Sequence, residues 1–158
     1  MSTGTRHTIS AFDDDMDEIR GLIAEMGARA ETAVVAAMKA LSEHDIELAA
    51  SVRAEDKVID NLETDVERLV VRTIALRAPM ADDLRELIAA LKMSAVIERI
   101  GDYAKNIAKR VPKMEGKIHA SAKEQLGRMG EIVVEMIRTA MDAYAKRDVD
   151  LARAVTIR

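Results

Sequence analysis

An all-α fold, organised as a long antiparallel three-helix bundle, follows from three features of the sequence. Apolar residues recur at i, i+3, i+4 spacing over stretches far longer than a strand. Only 7 Gly and 2 Pro occur in 158 residues, whereas an all-β domain needs a turn every few residues. The good helix formers Ala, Leu, Met, Glu, Lys and Arg are abundant. With one Phe, two Tyr and no Trp, the core falls to Ala, Leu, Ile, Val and ten Met.

Residues 1–10 read as a polar, flexible arm. From Phe12 the helical period sets in. Ile19, Leu22, Ile23, Met26, Ala30, Ala33, Val34, Ala37, Met38 and Leu41 form one buried face, ending near Glu43. His44-Asp45 breaks the pattern, and Asp45 suits the N-cap of a second helix. Val52, Ile59, Leu62, Val66, Leu69, Thr73 and Leu76 make its seam. This helix stops near Arg77, because Pro79 disfavours helical geometry in the residue before it. Pro79 then suits the first turn of a third helix, where Asp82 and Asp83 meet the positive end of the helix dipole. The third helix runs to about Arg110. Pro112, Lys113, Glu115, Gly116 and Lys117 form a linker, a fourth helix spans about Ser121–Lys146, and a fifth starts at Asp148. Helices of about 30 residues, each roughly 45–50 Å long, joined by very short turns pack antiparallel.

A repeat is visible at an offset of 103 residues. Met26-Gly27 falls on Met129-Gly130, Ala37-Met38 on Ala140-Met141, and Asp45 through Ala49 on Asp148 through Ala152. The matched helix breaks at Asp45 and Asp148 carry more weight than the alanine matches. Two similar three-helix units are expected: residues 11–111, and residues 118–158 as the first part of a second. Everything equivalent to 56–110 would lie beyond Arg158, so the chain reads as a truncated form of a longer protein.

The composition also excludes function classes. Without cysteine there is no disulfide, thiolate metal site or cysteine nucleophile. The net charge of −4 gives no case for nucleic-acid binding. Charge is uneven, with 9 basic and 16 acidic residues in 1–79 against 15 and 12 in 80–158. No run approaches the ~20 apolar residues of a membrane span, and the N-terminus has no apolar signal core. A soluble, cytoplasmic protein is expected.

The strongest chemical clue is a pair of carboxylates in the third helix. Its seam reads Met80, Leu84, Leu87, Leu91 and Ser94, then Glu98 and Asp102, with Asn106 continuing the line. Carboxylates on a buried face are costly unless paired or bound to a cation. The second helix carries Asp56 and Asp60 at the same spacing, at the edge of its seam and nearer solvent. Pairing the helices about a turn near Ala78 brings Asp56 level with position 100 and Asp60 level with position 96. Four carboxylates then converge, and oxygen-only ligands suit hard cations such as Mg, Mn, Ca or ferric iron. The competing expectation is ion pairing with Arg53, Lys57 or Arg99.

Other constellations are weaker. His7, His44 and His119 form no Glu-x-x-His motif, which argues against a ferritin-like oxidase. Gly101, Gly116, Gly127 and Gly130 are isolated, so there is no phosphate loop. Lys105, Lys109, Arg110, Lys113 and Lys117 make a basic cluster that would meet anionic lipid or an acidic partner, or simply be solvated. The methionines read as core filler, Met80 and Met114 excepted.

The stretch Ala78-Pro79-Met80-Ala81-Asp82-Asp83-Leu84-Arg85, followed by Glu98-Arg99-Ile100-Gly101-Asp102 and Asn106-Ile107-Ala108, resembles the PhoU family of phosphate transport system regulatory proteins. Asp56-Lys57-Val58-Ile59-Asp60 fits the same pattern, and the resemblance covers about residues 12–158. It implies tandem three-helix bundles with Glu/Asp-x-x-x-Asp motifs on adjacent helices, here Asp56, Asp60, Glu98 and Asp102. These would bind a divalent or trivalent metal ion, with an iron cluster, Mg, Mn or Zn as the alternatives. It implies a non-enzymatic negative regulator of phosphate uptake and of the phosphate-starvation (Pho regulon) response. The implied partners are the ATPase subunit of the phosphate ABC transporter, a sensor histidine kinase and a second copy in a homodimer, with the membrane reached only through partners. The departure is the missing second half, which leaves one acidic site and an apolar face on the fourth and fifth helices. Two rivals remain: a metal-dependent helical-bundle hydrolase using the same carboxylates, and a metal-free structural bundle.

Overall fold

The computed structural model describes residues 3–115 and 118–157, and these form five α-helices. They are α1 (Thr3–Glu43), α2 (Ile46–Arg77), α3 (Asp82–Ala108), α4 (Ala120–Lys146) and the short α5 (Val149–Val155). A single 3-10 turn, Val111–Lys113, follows α3. Among the described residues there is no strand. α1, α2 and α3 pack against one another, α4 packs on α1, and α5 folds back on α4.

The N-terminal expectation needs correction. No arm spans residues 1–10, because α1 already starts at Thr3, and Met1 and Ser2 lie outside the described residues. No proline interrupts that stretch, so nothing stops the helical ladder from extending upstream of Phe12. Of the linker, Gly116 and Lys117 also lie outside the described residues. Pro79 is not in the first turn of α3. It sits in the Ala78–Ala81 connection, where Ala78 closes α2 in a left-handed conformation (φ 47°) and donates its N–H to Ile74 O. Asp82 and Asp83 do occupy the first turn of α3.

The seam of α1 forms as expected, with Ile19, Ile23, Met26, Ala30 and Ala37 inaccessible. That of α3 is rotated from the predicted one. Its buried residues are Leu87, Ala90, Ser94, Ile97, Gly101, Ala104 and Ala108, while Met80 and Leu84 are exposed. Small side chains, not the largest apolar ones, select the buried face, because they let the backbones approach. A Cβ at Gly101 would stand 2.9 Å from Ile59 Cδ1 of α2. Leu76, placed in the α2 seam by the sequence pattern, is 65% exposed. It lies in the last turn of α2, next to the connection.

The two helix breaks are built alike. Asp45 and Asp148 each cap the following helix, their carboxylates accepting the N–H of Leu48 and Leu151 at 2.9 Å. The residue before each, His44 and Arg147, is left-handed (φ 56° and 53°). The N–H groups of Asp45 and Asp148 close on Ala40 O and Ala143 O at 3.0 and 2.9 Å.

The α1–α4 contact has the same internal symmetry. Met141 of α4 lies across Gly27 of α1, and Met38 of α1 lies across Gly130 of α4, so that an added Cβ would stand 2.7 and 3.1 Å away respectively. Arg138 donates to Glu31 through Nε at 2.8 Å and Nη2 at 2.5 Å. At the far end Arg147 joins Arg20 in donating to Glu86 of α3. A groove of about 1360 Å³ remains between α1, α3 and the α4–α5 pair, lined by small residues such as Gly21, Gly27 and Ala140 together with charged ones such as Arg20, Glu86 and Arg147.

The glycines of α1 yield a paired prediction. Gly21 has open space around it and Gly27 does not. Gly21→Ala raises stability by about 0.5–1 kcal/mol through helix propensity. Gly27→Val lowers it by about 1–3 kcal/mol through overpacking against Met141. Thermal melts followed by circular dichroism read both signs.

Candidate functional site

The carboxylates marked by the sequence do lie on adjacent faces of α2 and α3, but in a different order of burial. Asp56 falls in the α2 seam between Val52 and Ile59 and is only 5% exposed. It is the deepest of the four, not a solvent-side residue. Asp60, Glu98 and Asp102 are half-buried. Glu98 and Asp102 flank the α3 seam beside Ile97 and Gly101 and do not continue it.

The register between the helices also differs from the expected one, by about one helical turn. The Ile59–Gly101 contact centres the antiparallel pair near Met80, in the middle of the Ala78–Ala81 connection. Asp56 therefore meets Lys105, a residue the sequence pattern placed in a basic surface cluster. The Lys105 ammonium donates to Asp56 Oδ2 and pairs with Asp102 Oδ1, the latter at 2.5 Å. Its side chain is 21% exposed. Neither Arg53, Lys57 nor Arg99 takes this role; Arg99 donates to Tyr103 Oη at 3.3 Å. Lys109, Arg110 and Lys113 are exposed, and Lys117 lies outside the described residues.

The electrostatics follow from this crowding. The hydrogen bonds to Asp102 and Asp56 hold the Lys105 pKa well above the ordinary lysine value. Burial raises the Glu98 pKa, and the neighbouring charges of Asp102, Glu63, Asp60 and Asp56 raise it further. Asp60 is raised by burial and then by Asp56, with Lys105 opposing. Glu63, one turn beyond Asp60, is raised by burial, Glu67 and Asp60. Glu63 and Lys105 thus belong to the cluster. The signal that marks them is spacing, since each lies three residues beyond a predicted ligand, on the same helical face.

One lysine does not satisfy this many carboxylates. Asp56 Oδ1 is buried without a hydrogen-bond partner. Among the described residues, no three carboxylate or imidazole groups already stand together as a metal-binding set. The donor set, all oxygen and excess in negative charge, fits a hard cation. The histidines stay apart from it: His44 is in the α1–α2 turn, His119 precedes α4, and the side chain of His7 lies outside the described ones. None of Asp56, Asp60, Glu98 and Asp102 lines the groove beside α4.

Comparison with known proteins identifies the family of the chain. The PhoU domain family matches residues 23–111 and again 126–158. The chain belongs to the PhoU family. It is 50% identical over 142 residues to a phosphate-specific transport system accessory protein PhoU homolog of Zymomonas mobilis, covering 90% of this chain and 60% of that relative. A Caulobacter vibrioides protein of the same description is 37% identical, covering 97% and 66%. The crystal structure of PhoU from Pseudomonas aeruginosa superposes with a TM-score of 0.83 at 33% identity, covering 90% of this chain and 69% of that one. The phosphate transport system regulatory protein PhoU from Streptococcus pneumoniae gives 0.84 at 26%, covering 91% and 68%. The chain thus spans less than two thirds of the length of the Zymomonas and Caulobacter relatives. No described helix of this PhoU chain is long and apolar enough to cross a membrane.

The raised carboxyls fix the sign of a pH dependence. A carboxyl with a raised pKa binds more protons folded than unfolded. Stability is therefore lost as pH rises through its folded pKa and regained as pH falls. In chelator-treated protein, Asp60→Asn with Glu98→Gln melts higher than the parent at neutral pH. That advantage shrinks as pH falls from neutral into the range just above ordinary carboxylate values. A pH series of melting curves for both proteins reads it.

Proposed function

We propose that this chain belongs to a negative regulator of phosphate uptake and of the phosphate-starvation response. It acts as a cytoplasmic adaptor between the ATPase subunit of a phosphate ABC transporter and a sensor histidine kinase. The observation that carries this reading is the 50% identity, over nine tenths of the chain, to a phosphate-specific transport system accessory protein. Matches of the PhoU domain to two successive segments support the reading as one three-helix unit followed by the first part of a second. No residue is assigned a catalytic role, and contact with partners is the means of action.

The α2–α3 carboxylates are proposed as a metal site, with Asp56, Asp60, Glu98 and Asp102 as the oxygen donors. What supports it is the buried, unpartnered Oδ1 of Asp56 beside three further carboxyls with too little positive charge to balance them. A bound hard cation, iron among the candidates, would neutralise that repulsion and tie α2 to α3. Its role is structural or regulatory. The apolar side chains exposed on α4 and α5, Met129, Ile132, Val133 and Val149, are proposed to be covered in the assembled protein, with a homodimer as one arrangement.

Two outcomes are expected. A deletion strain grown in excess phosphate expresses alkaline phosphatase constitutively, and a full-length copy restores repression. Complementation with this chain alone shows whether it suffices. Normal repression in the deletion strain, with no paralogue present, rejects the regulatory reading. Asp56→Ala combined with Asp60→Ala abolishes metal uptake measured by plasma mass spectrometry, with helicity retained. Loss of helicity instead shows that the carboxylates serve the fold.

A further inference from the structure

Lys105 occupies a position that a bound cation would contest. Its ammonium bridges one candidate ligand from each helix, Asp56 of α2 and Asp102 of α3. It engages only one oxygen of Asp56, and the other is buried with no partner. Asp56 is 5% exposed, so the unsatisfied oxygen is shielded from solvent. Asp56 therefore keeps a second, buried acceptor that the lysine does not satisfy. Lysine is also the residue best able to leave. Its charge sits at the end of a flexible four-carbon stem, and the side chain is 21% exposed.

We propose that Lys105 is a built-in competitor for the metal at the α2–α3 carboxylates, holding Asp56 and Asp102 in the metal-free chain and released from them when a divalent cation binds. This rests on the metal reading of the site. Two consequences follow. The metal-free bundle stays folded, because buried Asp56 always has a counter-charge. Metal affinity is set lower than the four carboxylates alone would give, because each binding event must break the Lys105 pairs. The same exchange moves a positive charge from the α2–α3 interface to the surface near exposed Lys109. The charge a partner meets there then reports whether metal is bound.

The test uses Mn²⁺ as the probe, with binding read from the fall in the free-ion electron paramagnetic resonance signal. Melting temperatures are taken in chelator and in Mn²⁺. Lys105→Met is expected to bind Mn²⁺ about tenfold more tightly than the parent, since an attractive competitor a few ångströms from the ligands is removed. It should melt lower in chelator and gain more from Mn²⁺. Lys105→Arg keeps the charge and should retain the parent's weaker binding. Lys105→Gln serves if Lys105→Met does not fold. Equal Mn²⁺ affinity in the parent and the neutral variant overturns the competitor role and leaves the metal site standing. Mn²⁺ binding by neither overturns the metal reading and this inference with it.

Discussion

Helix separation in this bundle is set by side chains that are barely there. Ala30, Ala33, Ala37 and Ala40 of α1, Ala49 of α2, and Ala90, Ala104 and Ala108 of α3 are all buried, and Gly101 is pressed against Ile59. Interaxial distance follows the side chains at the contact, within roughly 8–10 Å, and small residues at the contact let the backbones approach, as at Gly101 and Ile59. Close approach leaves little room beside the contact line. Asp56 and Lys105, one turn from the Ile59–Gly101 contact, are thereby forced together. The carboxylates flanking the same line cannot separate.

The charged groups consequently divide by burial. Exposed pairs such as Arg85–Asp82 and Arg153–Asp150 contribute about 0–1 kcal/mol each. Asp56 is different, because a buried carboxylate without a partner costs far more than a surface pair returns. Asp15, also buried and held by Arg72 and Arg77 of α2, is the same solution applied to α1. Each of these lysine or arginine partners comes from another helix, so the pairs fix register as well as charge. The buried hydroxyls of Thr73 and Ser94 are satisfied within their own helices by Leu69 O and Leu91 O.

The order of the helices, the Asp45 cap, the break at Asp148 and the α1 seam were legible, because they depend on local propensity, capping chemistry and a 3.6-residue period. The α3 face was not. Pattern reading weights Leu84 and Leu91 above Ala90, Gly101 and Ala104, yet steric approach favours the small residues. One consequence was the misplacement of Glu98 and Asp102 in the seam. Another was Asp56, which stands four residues after Val52 and three before Ile59 and so shared the buried face all along; its charge hid that. The register missed by a turn because the four-residue connection moved the centre of the pair from Ala78 toward Met80. Lys105 then passed as one more lysine in a basic run, although its place three residues beyond Asp102 put it on the same helical face.

The crossed Met–Gly contacts between α1 and α4 carry a consequence for origin. Met38 over Gly130 and Met141 over Gly27 are one contact used twice, which makes the α1–α4 surface self-complementary in the sense of an isologous interface. Such a surface can arise in a single short gene whose product pairs with itself. Duplication and fusion of that gene would retain the pairing while freeing each copy to diverge. Arg138–Glu31 shows how far that has gone: Glu31 has Val134 as its counterpart and Arg138 has Val35. The steric half of the contact is found in both copies, and the ionic half in one.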